Sequence, residues 1–398
     1  MISTRFAGLD GVSLEAAKLA PVIEAAGHEI SWFAGELGPE FTPGVEVPAA
    51  HFATDDNLAL EARAFASDEA DPQVAGEIRW RASALKPALE AFLADIDVAY
   101  VHNALSIPMQ LPLAVALAEA LAETGTRAVA HHHDFGWEKP RFAHCTVPEV
   151  FRDYFPPLAD GIAHCVINSL AQKGLRDRTG VEATLLPNIL DFEMGPTGGA
   201  DGAAYRAAAG IAADRVVLLQ PTRIITRKGI EHTIELARRL GPEAVVAFSH
   251  AADRDEAYWK QLSNLAVDRN VGLVFAPAGA DAAGDGPSLA DAFAAADLVC
   301  FPSIQEGFGN ALVEALFYKR PLFVNRYAVY VADIAPMGVQ AVEMDGVVTP
   351  EVVGQVRDLL DSPVAQDAMT EANYAVGLEH MSHRVMRERL IPLLEGTG

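Results

Sequence analysis

Three short stretches hold the residues whose types and spacing could do chemistry. Residues 130–142 read AHHHDFGWEKPRF and gather three histidines, an acid, a tryptophan and two cations. Residues 221–229 read PTRIITRKG and place Arg223 and Lys228 in one short loop. Residues 303–316 read SIQEGFGNALVEAL and bring Glu306, Gly307, Gly309 and Glu314 around what reads as a helix start near Asn310. Each stretch follows an aliphatic run that reads as a strand, and open parallel sheets bind their ligands beyond the carboxyl ends of strands.

The second and third stretches together suit a phosphate. Glycines let the backbone approach a ligand closely, and the free N–H groups of a helix N-terminus carry partial positive charge. Arg223 adds a planar fork and Lys228 a point charge, enough to neutralise a diphosphate without a metal. Glu314 lies in the second turn of its helix, whose side chains tilt toward the N-terminus, so its carboxylate can accept two sugar hydroxyls such as those of a ribose. Glu306 is then free to meet the other side of the ligand. Taken singly, a loop cation is more often solvated and a glutamate near a helix start more often complements the dipole; the ordered set is what is specific.

The histidines raise the question of a metal. Along a strand side chains alternate, so His131 and His133 share a face and His132 points the other way. A metal needs three or four converging ligands, and beyond a likeness of His131-x-His133 to the first metal motif of amidohydrolase-type barrels the rest of that pattern is absent. A structural polar cluster is the plainer reading. Two acidic triplets, Asp95–Asp97 and Asp253–Asp255, resemble a metal-binding DxD, but the first precedes its strand and the second reads as a helix start.

These stretches need elements to position them. The chain has 398 residues, more than one core of ordinary size, and strands alternate with helices in both halves, the pattern of parallel sheets. MISTRF, EISWFAG, DVAYVHN, TRAVAHHHD and AHCVINS read as strands of the first half; RVVLLQ, AVVAFSH, VGLVFAP, DLVCFP and PLFVN as those of the second. A helix is expected over 14–27 with Ser13 as its cap, and the end of the chain, 372–395, reads as one long helix. Pro196–Ala204, rich in Gly and Ala, is the linker candidate. The expectation is therefore α/β, two Rossmann-like doubly wound domains facing a cleft: residues 1–192, residues 193–375, and 376–398 crossing back to the first.

The net charge is −24, and it is shared: residues 1–190 hold 13 of the 30 Lys and Arg and 26 of the 54 Asp and Glu, leaving 17 and 28 for the rest. Neither half attracts a polyanion, so nucleic acid and an anionic membrane surface are unexpected partners. The longest apolar run, 111–122, is too short to span a bilayer. Three cysteines and the lack of a leader pattern point to a cytoplasmic location.

Over most of its length the chain resembles the retaining family-4 glycosyltransferases of the GT-B fold. PTRIITRKG is similar to that family's Arg-x4-Lys-Gly segment, EGFGNALVE to its E-x7-E segment, and LLPNILDFE to the segment that closes the first domain. The resemblance implies that Arg223 and Lys228 hold the donor diphosphate, Glu314 the ribose and Glu306 the transferred sugar. The amides of Gly307, Phe308, Gly309 and Asn310 would hold phosphate and sugar hydroxyls. It also implies that His133, with Asp134, faces the donor sugar. Gly8 and Gly11 are placed in the first strand-to-helix loop, and His102, Asn103, Trp137, Lys139 and Arg141 stand where an acceptor would be read. The implied activity is metal-independent, retaining transfer of a hexose from a nucleoside-diphosphate sugar, of the UDP or GDP type, to a hydroxyl of a small polar acceptor, with no cofactor. The alternatives are a nucleotide-sugar 2-epimerase on the same fold and a non-enzymatic nucleotide-sugar-binding protein.

Overall fold

The computed structural model describes the chain except residues 9, 198, 251–253, 277, 279–285 and 398. It divides into two compact units, Met1–Pro187 with Met386–Gly398, and Asn188–Val385.

In the first unit the aliphatic runs form β1 (Trp32–Ala34), β2 (Gly44–Glu46), β3 (Val98–His102), β4 (Arg127–His132), β5 (Ile162–Val166) and β6 (Thr184–Leu185). β3 to β6 pair in that order, all parallel, and β1 pairs with β2. MISTRF was expected as a strand and forms only bridging pairs. Ile2 joins Phe33 to Val101, donating to Tyr100 and accepting from His102 at 2.8 and 2.9 Å, after which the chain diverges and Phe6 pairs with Leu37. The first helix runs Gly11–Glu24, three residues earlier than expected. Its cap is Asp10, which accepts from the amides of Val12 (3.0 Å) and Ser13 (3.1 Å). Ser13 is inside the first turn, donating its hydroxyl to Asp10 (2.8 Å); a carboxylate there both caps and complements the dipole. Helices Pro72–Leu93 and Leu111–Thr124 pack together and bury Ile78, Leu85, Leu89, Leu113 and Leu117 in the core of this unit.

The second unit holds β7 (Val216–Gln220), β8 (Ala244–Phe248), β9 (Gly272–Phe275), β10 (Leu298–Phe301), β11 (Leu322–Asn325) and β12 (Val342–Met344). They form one parallel sheet in the order β12-β11-β10-β7-β8-β9. The order reverses between β7 and β10, so the loops after these two strands diverge at a topological switch point. Pro196–Ala204 lies within this unit, where Asp201 caps the helix Gly202–Ala208. The segment 372–395 is two helices, Pro363–His380 and His383–Glu395, interrupted where Leu190 pairs with Ser382 and donates to the Met381 carbonyl at 3.0 Å. The last turns belong to the first unit, where Arg389 donates to the Leu185 carbonyl and Arg127 to that of Leu394. Among the described residues no helix is long and apolar enough to cross a membrane.

Candidate functional site

In the second unit the switch point gathers the charged residues. The loop after β7 tightens into one 3-10 turn, Thr226–Lys228, and is stitched to the loop after β10 by the Ile304 amide donating to the Arg227 carbonyl at 2.8 Å. Gly229 makes this approach possible: its φ is +60°, and a Cβ would lie 2.5 Å from the Pro302 carbonyl oxygen. The result is a three-centre ionic cluster. Lys228 Nζ donates to Glu306 Oε1 and Arg227 to Glu306 Oε2, both at 2.5 Å, and Arg227 also donates to the Gln305 carbonyl at 3.0 Å. The side chains of Lys228 and Glu306 are 10% and 7% exposed, whereas that of Arg227 is 40% exposed.

Burial lowers the Lys228 ammonium below the usual lysine range, an effect Glu306 opposes. Burial pushes the Glu306 carboxyl up, but Lys228 and Arg227 outweigh it and hold it below the ordinary value. The pair therefore stays ionised, and the cluster carries one net positive charge before Arg223 is counted. Arg223 is half-buried and close enough to act on Lys228 electrostatically. The helix Asn310–Phe317 then begins at Gly309 with no side-chain cap. Gly309 has φ +131°, and a Cβ would press on Phe301 and the Tyr327 hydroxyl at 3.0 Å. Tyr327 in turn donates to the Phe308 carbonyl at 2.6 Å, fixing the loop from behind. Phe308 is buried, Gly307 and Glu314 are half-buried, and the Asn310 side chain accepts from Asn188.

The first unit presents a second cluster. β3 and β4 run in register with His102 opposite His131. His133, two residues on, lies on the same side, with His102 Nδ1 and His133 Nε2 3.1 Å apart. His131 Nδ1 is 2.8 Å from the Tyr100 hydroxyl. His132 faces the other way, 2.9 Å from His164, against Phe135. Burial holds His102, His131 and His132 well below the usual imidazole range and His133 below it, so all four are neutral at pH 7.

The other residues expected on the acceptor side occupy defined places. Asn103, at φ 55°, accepts the amides of His133 (2.7 Å) and Asp134 (3.4 Å), so its side chain shapes the turn after β4. Asp134 is paired with Lys139 at 2.7 Å. Trp137 stacks on Phe135 with centroids 4.2 Å apart, and Arg178 lies over it. Arg141 is exposed, over Phe142 and 3.7 Å from Glu61. Gly8 has φ +71°, and Gly11 is the first residue of its helix. Asp97 precedes β3, at the end of the strand away from His102, and Asp255 caps the helix Glu256–Arg269, while Asp253 lies outside the described residues.

Sequence reasoning passed over Arg227 and Tyr100. Arg227 adjoins Lys228, so the RK pair was a visible signal that both cations serve one acid. Tyr100 is two residues before His102, and strand alternation alone puts the two on one face.

Residues 202–376 match the family described as Glycosyl transferases group 1. The mannosylglucosylglycerate synthase of Petrotoga mobilis is 28% identical, with 86% of each chain covered. That of Thermotoga maritima is also 28% identical, with 94% of each covered. Among solved structures, Anabaena HepE in complex with UDP-glucose is similar with a TM-score of 0.71 at 15% identity, covering 99% of both chains. Sucrose-phosphate synthase from Thermosynechococcus elongatus is similar with a TM-score of 0.70 at 14% identity, covering 97% of this chain and 93% of that one. At such identities the structural likeness speaks for the fold, and the matched segment contains both loops of the switch point. The chain has the GT-B fold, and its segment 202–376 matches the group 1 glycosyl transferases.

Proposed function

We propose that this protein transfers a hexose, with retention, from a UDP- or GDP-type sugar to a hydroxyl of a small polar acceptor. One observation carries the reading: the Arg227–Glu306–Lys228 cluster, with Arg223 nearby, stands at the β7/β10 switch point beside an uncapped helix N-terminus. Fixed positive charge placed where a diphosphate departs stabilises that charge as it develops. In the transfer the bond from the anomeric carbon to the diphosphate oxygen breaks as the acceptor oxygen bonds to the same face of that carbon. The acceptor proton passes to the departing phosphate oxygen. Arg223 and Lys228 hold the diphosphate, Glu314 the ribose and Glu306 the sugar, with the amides of Gly307, Phe308, Gly309 and Asn310 as further donors; His133 hydrogen-bonds a sugar hydroxyl. The cations make a divalent ion unnecessary for the step.

The names of the two mannosylglucosylglycerate synthases favour an acceptor that carries glycerate, a small anion, over a lipid. The test is incubation with UDP-glucose or GDP-mannose and glucosylglycerate in EDTA, with products read by mass spectrometry. A hexose-extended acceptor supports the proposal. Interconversion of the nucleotide sugar without an acceptor would favour the epimerase, and binding without turnover the non-enzymatic binding protein.

A further inference from the structure

Parallel register places the rings of His102 and His131 opposite one another, and the two-residue strand period adds His133 to the same face. One ring nitrogen of each lies within 4.8 Å of the other two. The His102 Nδ1 to His133 Nε2 separation, 3.1 Å, is close to the roughly 3.4 Å between two ligands of a tetrahedral ion bonded at about 2.0–2.1 Å. From this convergence we propose that His102, His131 and His133 bind a divalent transition-metal ion of the zinc type. The site is a property of the first unit and does not rest on the sugar-transfer reading.

Three further observations fit the group. The three rings are 0%, 2% and 8% exposed, so no side-chain rearrangement from solvent is needed to assemble them. The Tyr100 hydroxyl on Nδ1 of His131 is the kind of outer partner that orients a ligating ring. Glu15, itself buried, Asp134 and Asp10 each act on His133 in the sense that favours a cation, and each is also paired with a cation of its own, Lys18, Lys139 and Arg5. Three imidazoles leave one tetrahedral position open for water or a ligand.

The experiment is titration of EDTA-stripped protein with Co²⁺, followed by its visible absorption, and with Zn²⁺ by calorimetry. The site predicts one ion per chain with a tetrahedral Co²⁺ spectrum. Binding should weaken by at least about 100-fold in His102→Gln and His131→Gln, and by about 10- to 100-fold in Tyr100→Phe, which leaves all three rings in place and so serves if the glutamine variants do not fold. His144→Ala, which removes an exposed histidine paired with Asp68, should bind as the parent does. Absence of stoichiometric binding in the parent overturns the proposal, as does binding that survives the folded variants of the cluster or is lost with His144.

Discussion

Replacing Lys228 with alanine perturbs two properties at once. Loss of a donor that acts mainly in the transition state lowers turnover by about 100- to 1,000-fold, roughly 3–4 kcal/mol. Stability is perturbed as well, because the ammonium is buried against Glu306, whose side chain is 7% exposed. Breaking a buried pair costs about 3–5 kcal/mol when the remaining charge is left uncompensated. Here Arg227 still holds the second carboxylate oxygen, so the expected loss falls to about 1–3 kcal/mol. Adding Glu306→Gln removes the stranded charge, and the double variant should be more stable than the sum of the single changes by about 1–3 kcal/mol. Urea unfolding of the four proteins at pH 7, beside steady-state transfer, reads both effects. Parental stability in Lys228→Ala, strict additivity in the cycle, or turnover within a few-fold of the parent would refute the reasoning.

Three other outcomes are expected. His133→Ala should lower transfer strongly while calorimetric binding of the nucleoside diphosphate stays near the parental value, since Arg223, Lys228 and Glu314 are untouched; loss of nucleotide binding would contradict the assignment. Transfer should run at full rate in EDTA and fall when stoichiometric zinc occupies His133, with recovery on chelation; a requirement for the metal would contradict both expectations. Stability should decline with acid well above the carboxylate range. Burial holds His102, His131, His132 and His133 below 6.5 and takes His164 to about 4, so the unfolded chain binds protons below about pH 6.5 that the folded chain refuses. The contribution is complete above that pH and is lost as pH falls from there toward the folded values, at about 1.4 kcal/mol per unit for each histidine. Equal urea midpoints at pH 7.5 and 5.5 would show that these rings titrate normally.

The central strands of both units were legible because VAYVH, RAVAHH, VVLLQ and LVCF are compact aliphatic runs, and the switch-point residues because they follow such runs directly; the short strands β2, β6 and β12 were not read. Part of what failed depended on partners distant in sequence. His102 and His131 become neighbours through the register of two parallel strands, which no local pattern encodes, so the third imidazole beside His131 and His133 could not be seen. The helix Pro72–Leu93 was passed over because small alanines, including Ala75 and Ala82, fill part of its buried face and blunt the apolar period. Ser13 was taken as a cap from its residue type, and Asp10, equally suited and three residues earlier, holds that place. The break near Met381 comes from the pairing of Ser382 with Leu190, almost two hundred residues away, across an otherwise helical sequence.

The central claim is that the cationic switch point of the second unit binds a nucleoside diphosphate, and thermal unfolding with UDP, GDP and ADP in EDTA tests it most directly. A ligand at 100 times its dissociation constant adds about 2.7 kcal/mol by linkage, which a melting curve resolves. The account predicts such stabilisation by UDP or GDP, and its loss when both Arg223 and Lys228 are replaced by alanine in a variant that still unfolds cooperatively. No shift with any of the three nucleotides, or a shift that survives in the double variant, would contradict it.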